Sequence, residues 1–190
     1  MQSGEEQLKI IETTLAALAQ LLVWAAGLFL LAMALHVCAD VAMKYLFNRP
    51  IPGTAEIVAR YYMLAAVFLP LPFVEMRNTG ISVDLFYNMF GAGWRRAMIL
   101  IAYAGQTVFF SLLAYQTGID AMRSFAKNEF IDGQIIVHIW PATFFLPVAF
   151  GLAAAVSVLR IVQVLLRRDW EEVTASSASL DVWKSARRSA

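Results

Sequence analysis

Apolar residues gather along the chain into four blocks, separated by shorter polar stretches. The blocks cover about residues 15–38, "LAALAQLLVWAAGLFLLAMALHVC", 57–76, "IVARYYMLAAVFLPLPFVEM", 97–118, "AMILIAYAGQTVFFSLLAYQTG", and 139–166. Crossing ~30 Å of hydrocarbon takes about 20 helical residues, so each block predicts one membrane-spanning helix. The fourth is long enough to tilt or to project past the bilayer. The expected fold is an all-α integral membrane protein: one four-helix domain over residues 1–168, with a small, polar, mobile cytoplasmic tail over 169–190. No internal repeat is visible, so the inverted-repeat core of many transporters is not supported.

Between the second and third blocks, "RNTGISVDLFYNMFGAGWRRA" mixes Ile81, Val83, Leu85, Phe86, Met89 and Phe90 with Asp84 and Asn88. That mixture predicts an amphipathic helix lying flat at the membrane interface. Pro70, Pro72 and Pro147 each remove a helical hydrogen bond inside a block, which predicts kinks that neighbouring helices must accommodate. Pro141 falls near the start of the fourth helix, where its missing N–H costs little. Gly151 and Ala155, four apart, offer a surface for close helix packing.

Charge sets an expected orientation. With four spans, the N-terminal end, middle loop and tail share one side, carrying Lys9, Arg77, Arg95, Arg96, Arg167, Arg168, Lys184, Arg187 and Arg188. The other side carries Lys44, Arg49, Arg123 and Lys127, with Arg60 just inside the second span. The excess predicts both termini in the cytoplasm. Trp94 and Trp170 then mark the inner interface and Trp140 the outer one, while Trp24 lies mid-span. The start, "MQSGEEQLKI", lacks the basic opening of a secretory signal, so the first block reads as retained.

The stretch joining the first two spans, "YLFNRPIPGTAEIVARYY", is richer than a connection needs. Asp40 and Lys44, four apart with the acid first, predict that the first helix continues to about Phe47 as an ion-paired surface. Asn48, Pro50 and Pro52 then stop it, since residues before proline avoid helical angles. Gly53 permits the turn, Thr54 is placed to cap the next helix, and Glu56 sits in its first turn, where the dipole favours an acid. Arg49, Glu56 and Arg60 remain at the membrane edge. An internal ion-pair network, contact with a partner subunit and a ligand site all fit that placement.

Composition narrows the function. Hydrophobic residues make up 60% of the 190 and charged ones 15%, far from a soluble domain. A net charge of +1 leaves no basic face for nucleic acid. Cys38 is alone, so no internal disulfide forms, and it reads as a small packing residue. No metal-ligand spacing, Gly-x-Ser-x-Gly or phosphate loop points to an enzyme. Asp120, Glu129 and Asp132 share the outer loop with Arg123 and Lys127, as a solvated or partner-facing loop does. His36 and His138, from two spans, could together ligate a haem in an electron-transfer subunit, but each is more often an interfacial or packed residue. Gln106, His36 and Arg160 are the main polar groups deep in the spans, too few for an ion-coupled path.

"ADVAMKYLFNRPIPGTAEI", followed by "FLPLPF" and "ISVDLF", resembles the small membrane subunit, DctQ-like, of tripartite ATP-independent periplasmic (TRAP) transporters. Lys44 stands where that family often has arginine, and Gly80 where it often has histidine. The resemblance implies a bacterial inner-membrane protein with no cofactor. It implies two partners, a large DctM-like membrane subunit and a periplasmic DctP-like binding protein. It implies a share in sodium-driven uptake of small organic anions, carboxylates or sugar acids, in which the small subunit braces the large one. On this reading Asp40, Lys44, Asn48, Arg49, Pro50, Pro52, Gly53, Glu56, Arg60 and Asp84 are the structural or partner-facing candidates.

Overall fold

A computed structural model of the chain describes residues 2–77, 92–132 and 136–166. The expected flat helix with Asp84 and the tail lie outside the described residues. Among the described residues, four helical spans are long and apolar enough to cross a membrane. The first is one helix, α1 (Gln2–Phe47). It ends where expected but begins earlier, reaching about 69 Å at 1.5 Å per residue. Far more than a bilayer core, that length commits it to tilt or to stand out of the membrane.

The second span, 54–76, is broken. It runs as α2 (Thr54–Ile57), a π-helical turn (Val58–Tyr62), α3 (Met63–Phe68) and α4 (Leu71–Met76). The break at Leu69–Pro70 is the predicted kink. Pro70 opens α4 as its cap, where no amide is missed, and Pro72 is buried in its first turn.

The third span, α5 (Ala92–Ala126), ends in a left-handed residue, Asn128 at φ 49°. Its N–H reaches the Phe125 carbonyl at 3.1 Å and the Glu129 N–H reaches Ser124 at 2.9 Å. Those two bonds form a Schellman closure, and asparagine tolerates the left-handed angles it needs. The Ser124 hydroxyl also meets the Glu129 carboxylate at 2.5 Å. Glu129 therefore closes a helix end.

The loop between the third and fourth spans holds a feature that the sequence reading lacked, a hairpin of β1 (Phe130–Asp132) and β2 (Ile136–His138), with Phe130 opposite His138. Then come α6 (Trp140–Thr143), with Pro141 at its first positions, and α7 (Phe145–Leu166). The fourth span is interrupted at Phe144, just before Pro147, which is the expected break; Pro147 then lies in the first turn of α7, where an amide is unpaired anyway.

α7 is the most buried span and the centre of the bundle. Ala149, Ala153 and Ser157 are 0–1% exposed at every fourth residue, letting neighbours approach closely. Phe110 and Phe150 stack at 6.2 Å beside Ala153 and Ala154, with Phe68 edge-on to Phe150 at 5.5 Å. Ala26, Ala65 and Leu69 pack α1 onto the second span, with Phe29 edge-on to Phe145 at 5.4 Å. The expected Gly151–Ala155 surface is not this seam. Gly151 is exposed, with open space where a Cβ would sit, about 200° around the helix from Ala149 and Ala153.

Candidate partner-binding site at the turn end

Asn48 terminates α1 by adopting φ 53°, the left-handed region that asparagine accepts more readily than most residues. The chain doubles back, and the Arg49 N–H reaches the Met43 carbonyl at 3.3 Å. Pro52 and Gly53 then form a tight turn, with proline and glycine at the two positions that favour them. Gly53, buried at φ 82°, swings the backbone into α2, whose first bond runs from the Ile57 N–H to the Gly53 carbonyl at 3.0 Å. Thr54 does not cap α2 as expected. Its hydroxyl donates to the Ile51 carbonyl at 3.0 Å, and the cap position belongs to Gly53. A Gly53→Ala substitution forces a Cβ into left-handed geometry, and we expect a loss of about 1–2 kcal/mol in thermal unfolding of the chain in detergent.

Asp40 has a different job from the one its spacing implied. Its Oδ1 accepts the Ile51 N–H at 2.6 Å, tying the turn to the side of α1 instead of facing Lys44. A charged acceptor on a backbone amide is among the stronger hydrogen bonds. Asp40 is half-buried, so Asp40→Ala should cost about 1–2 kcal/mol and Asp40→Asn, which keeps an oxygen, clearly less. Paired melting curves of the two variants check this. Lys44, Arg49 and Arg60 are exposed, whereas Glu56 is half-buried in the first turn of α2.

Just below, the π-helical turn puts two consecutive tyrosines to different uses. The Tyr62 hydroxyl lies 3.3 Å from His36 Nδ1 on α1, with the rings edge-on at 5.8 Å. The Tyr61 hydroxyl donates to the His138 carbonyl in β2. The His138 ring packs edge-on to Phe130. The two histidines are thus engaged separately, one between helices and one across the hairpin. Asp120 pairs with Arg123 on the α5 surface at 3.6 Å. Among the described residues no group of three or more His, Cys, Asp or Glu is placed to hold a metal ion.

A second polar level lies at the end of the bundle that bears Gln2 and Leu166. Gln106 donates to Glu75, which the sequence reading passed over although an acid inside a span is itself a signal. Arg160, 7% exposed, donates to the Met76 carbonyl and, at 3.0 Å, to Gln163 Oε1. Arg96 donates to the Val164 and Leu165 carbonyls at 2.8 and 2.9 Å, capping α7. This level joins the second, third and fourth spans. Trp140, edge-on to Phe125 at 5.1 Å, marks the other level, about 20 residues from Arg160 along the fourth span. That spacing is ~30 Å, the thickness of a bilayer core.

The family model for the DctQ component of tripartite ATP-independent periplasmic transporters matches residues 33–167. No curated protein and no solved structure matches the chain. The match takes in the last turns of α1, the Asn48–Gly53 turn and the three later spans. The chain is a multi-pass membrane protein and belongs to the DctQ family of TRAP transporter components.

Proposed function

We propose that the chain is the small scaffold subunit of a TRAP-type importer in the bacterial inner membrane, acting with a large DctM-like membrane subunit and a periplasmic DctP-like binding protein. The system would import small organic anions, carboxylates or sugar acids, on an ion gradient, with sodium as the coupling ion. The family match supports the setting. The observation that carries the scaffold role is the use of the polar groups in the spans. Tyr61, Tyr62, His36, Glu75, Gln106 and Arg160 form hydrogen bonds that join one element to another. A chain whose membrane polarity is used to fix its own helices is built as a rigid body, which a moving transport domain can work against. No enzymatic step belongs to that role.

Co-expression with the large membrane subunit tests it. The two should co-purify from detergent as a stable complex. Separate elution under conditions that preserve each chain would contradict the proposal. The basic excess supports both termini in the cytoplasm. In a Cys38→Ala background, a membrane-impermeant thiol reagent applied to intact cells should label Ala55→Cys and leave Ser179→Cys unlabelled; the reverse pattern would invert the topology.

A further inference from the structure

The shortest span fixes the level of the turn. Thr54–Met76 is 23 residues, about 34 Å, against a hydrocarbon core of ~30 Å. Nearly all of it is needed to cross, so Thr54 lies at the membrane face. The bond from the Ile51 N–H to Asp40 holds α1 to the same level. Lys44 comes one helical turn further along α1, beside Tyr45, which is 82% exposed. Arg49 sits in the turn itself. Arg60 is six residues past Thr54, about 9 Å inside the face, and is exposed on the outside of the bundle.

Acids at this end are taken up inside the fold. Asp40 holds Ile51, Glu129 accepts from the Ser124 hydroxyl, and Asp120 pairs with Arg123. The three cations are not. Among the described residues, the side chains of Lys44, Arg49 and Arg60 are exposed and make no hydrogen bond or ion pair. Arg60 decides between partners. A soluble protein does not reach an arginine inside the membrane face, and acyl chains cannot solvate one. Its side chain is long enough to lift the guanidinium to the headgroups while its methylenes stay among the chains. There a phosphate offers the paired oxygens that a guanidinium fits. Three unpaired positive charges favour a lipid of net negative charge over a zwitterion. The exposed Tyr45 suits the same layer.

We propose that Lys44, Arg49 and Arg60 bind the headgroups of acidic phospholipids around the Asn48–Gly53 turn. Arg60 takes a phosphate from below, and Lys44 and Arg49 draw the negative charge from above.

Native mass spectrometry of the purified full chain tests this, with phosphatidylglycerol and phosphatidylcholine added in turn. The wild type should bind phosphatidylglycerol about tenfold more tightly than phosphatidylcholine. Arg60→Gln should weaken phosphatidylglycerol binding about fivefold, and Lys44→Gln, Arg49→Gln and Arg60→Gln together by about tenfold or more. Arg123→Gln, whose cation is already paired with Asp120, should change it by about twofold or less. Melting curves without added lipid should stay put for the three cation variants, because none of those side chains holds the fold. Equal binding of the two lipids by the wild type, or an unchanged triple variant, would overturn the proposal. So would displacement of the lipid by inorganic phosphate alone, which would mark a site for a free anion. A carbodiimide that joins Lys44 to carboxylates of the large membrane subunit, in a complex stripped of acidic lipid, would assign the cations to a protein surface instead.

Discussion

Replacing Arg160 with alanine should destabilise the isolated chain by about 2–4 kcal/mol, the largest single-residue effect we expect. Arg160 is almost fully buried on the central helix, and its guanidinium reaches the last carbonyl of α4 and the side chain of Gln163, which is 0% exposed. Truncation removes both bonds and leaves their acceptors in an apolar surround, where an unmade hydrogen bond costs more than a made one contributes. It also leaves a void beside Val164 and Leu159. Arg160→Met fills the void without the bonds and should lose distinctly less. Arg49→Ala, on the exposed turn, should move the melting curve by about 0.5 kcal/mol or less. Thermal unfolding of the three variants in one detergent decides the matter. An Arg160→Ala curve no lower than that of Arg49→Ala would show that the polar level at this end does not hold the bundle together.

The four spans and the kink at Pro70 could be read from the sequence because each rests on a local rule, the length of an apolar block or a missing amide. So could the stop at Phe47, since Asn48, Pro50 and Pro52 act on their own neighbours. What stayed hidden depends on which residue meets which across the bundle. Asp40 has Lys44 at a good helical spacing, but its better partner is the Ile51 amide, which only the folded turn brings near. The Gly151–Ala155 spacing is as good a motif as Ala149–Ala153–Ser157. Only the rotation of α7 against α5 decides which stripe is covered. The π-helical turn left no mark in composition, because one extra residue in a helical repeat changes where Tyr61 and Tyr62 point and little else. The hairpin was missed because its strands are three residues each, too short for an alternating pattern. Among the site candidates, Asn48 and Gly53 act as the sequence implied, through backbone angles. Lys44, Arg49 and Arg60 are exposed and Glu56 is half-buried, which depends on how the turn folds back and not on local spacing.

Uptake by the assembled system should depend entirely on this chain. A domain that carries substrate across the bilayer needs a fixed counterpart, and one whose own helices slide would dissipate the motion. The chain has features that resist sliding: the hydrogen-bonded level around Arg160, the Tyr61–His138 and Tyr62–His36 ties, and a helix of about 69 Å that exceeds the membrane core. The direct measurement is uptake into liposomes with an inward sodium gradient and substrate-loaded binding protein outside. Vesicles holding both membrane subunits should accumulate substrate. Vesicles with either subunit alone should stay at the level of empty ones, and the binding protein's own affinity should be the same throughout. Accumulation by this chain alone, or full accumulation by the large subunit without it, would contradict the scaffold account.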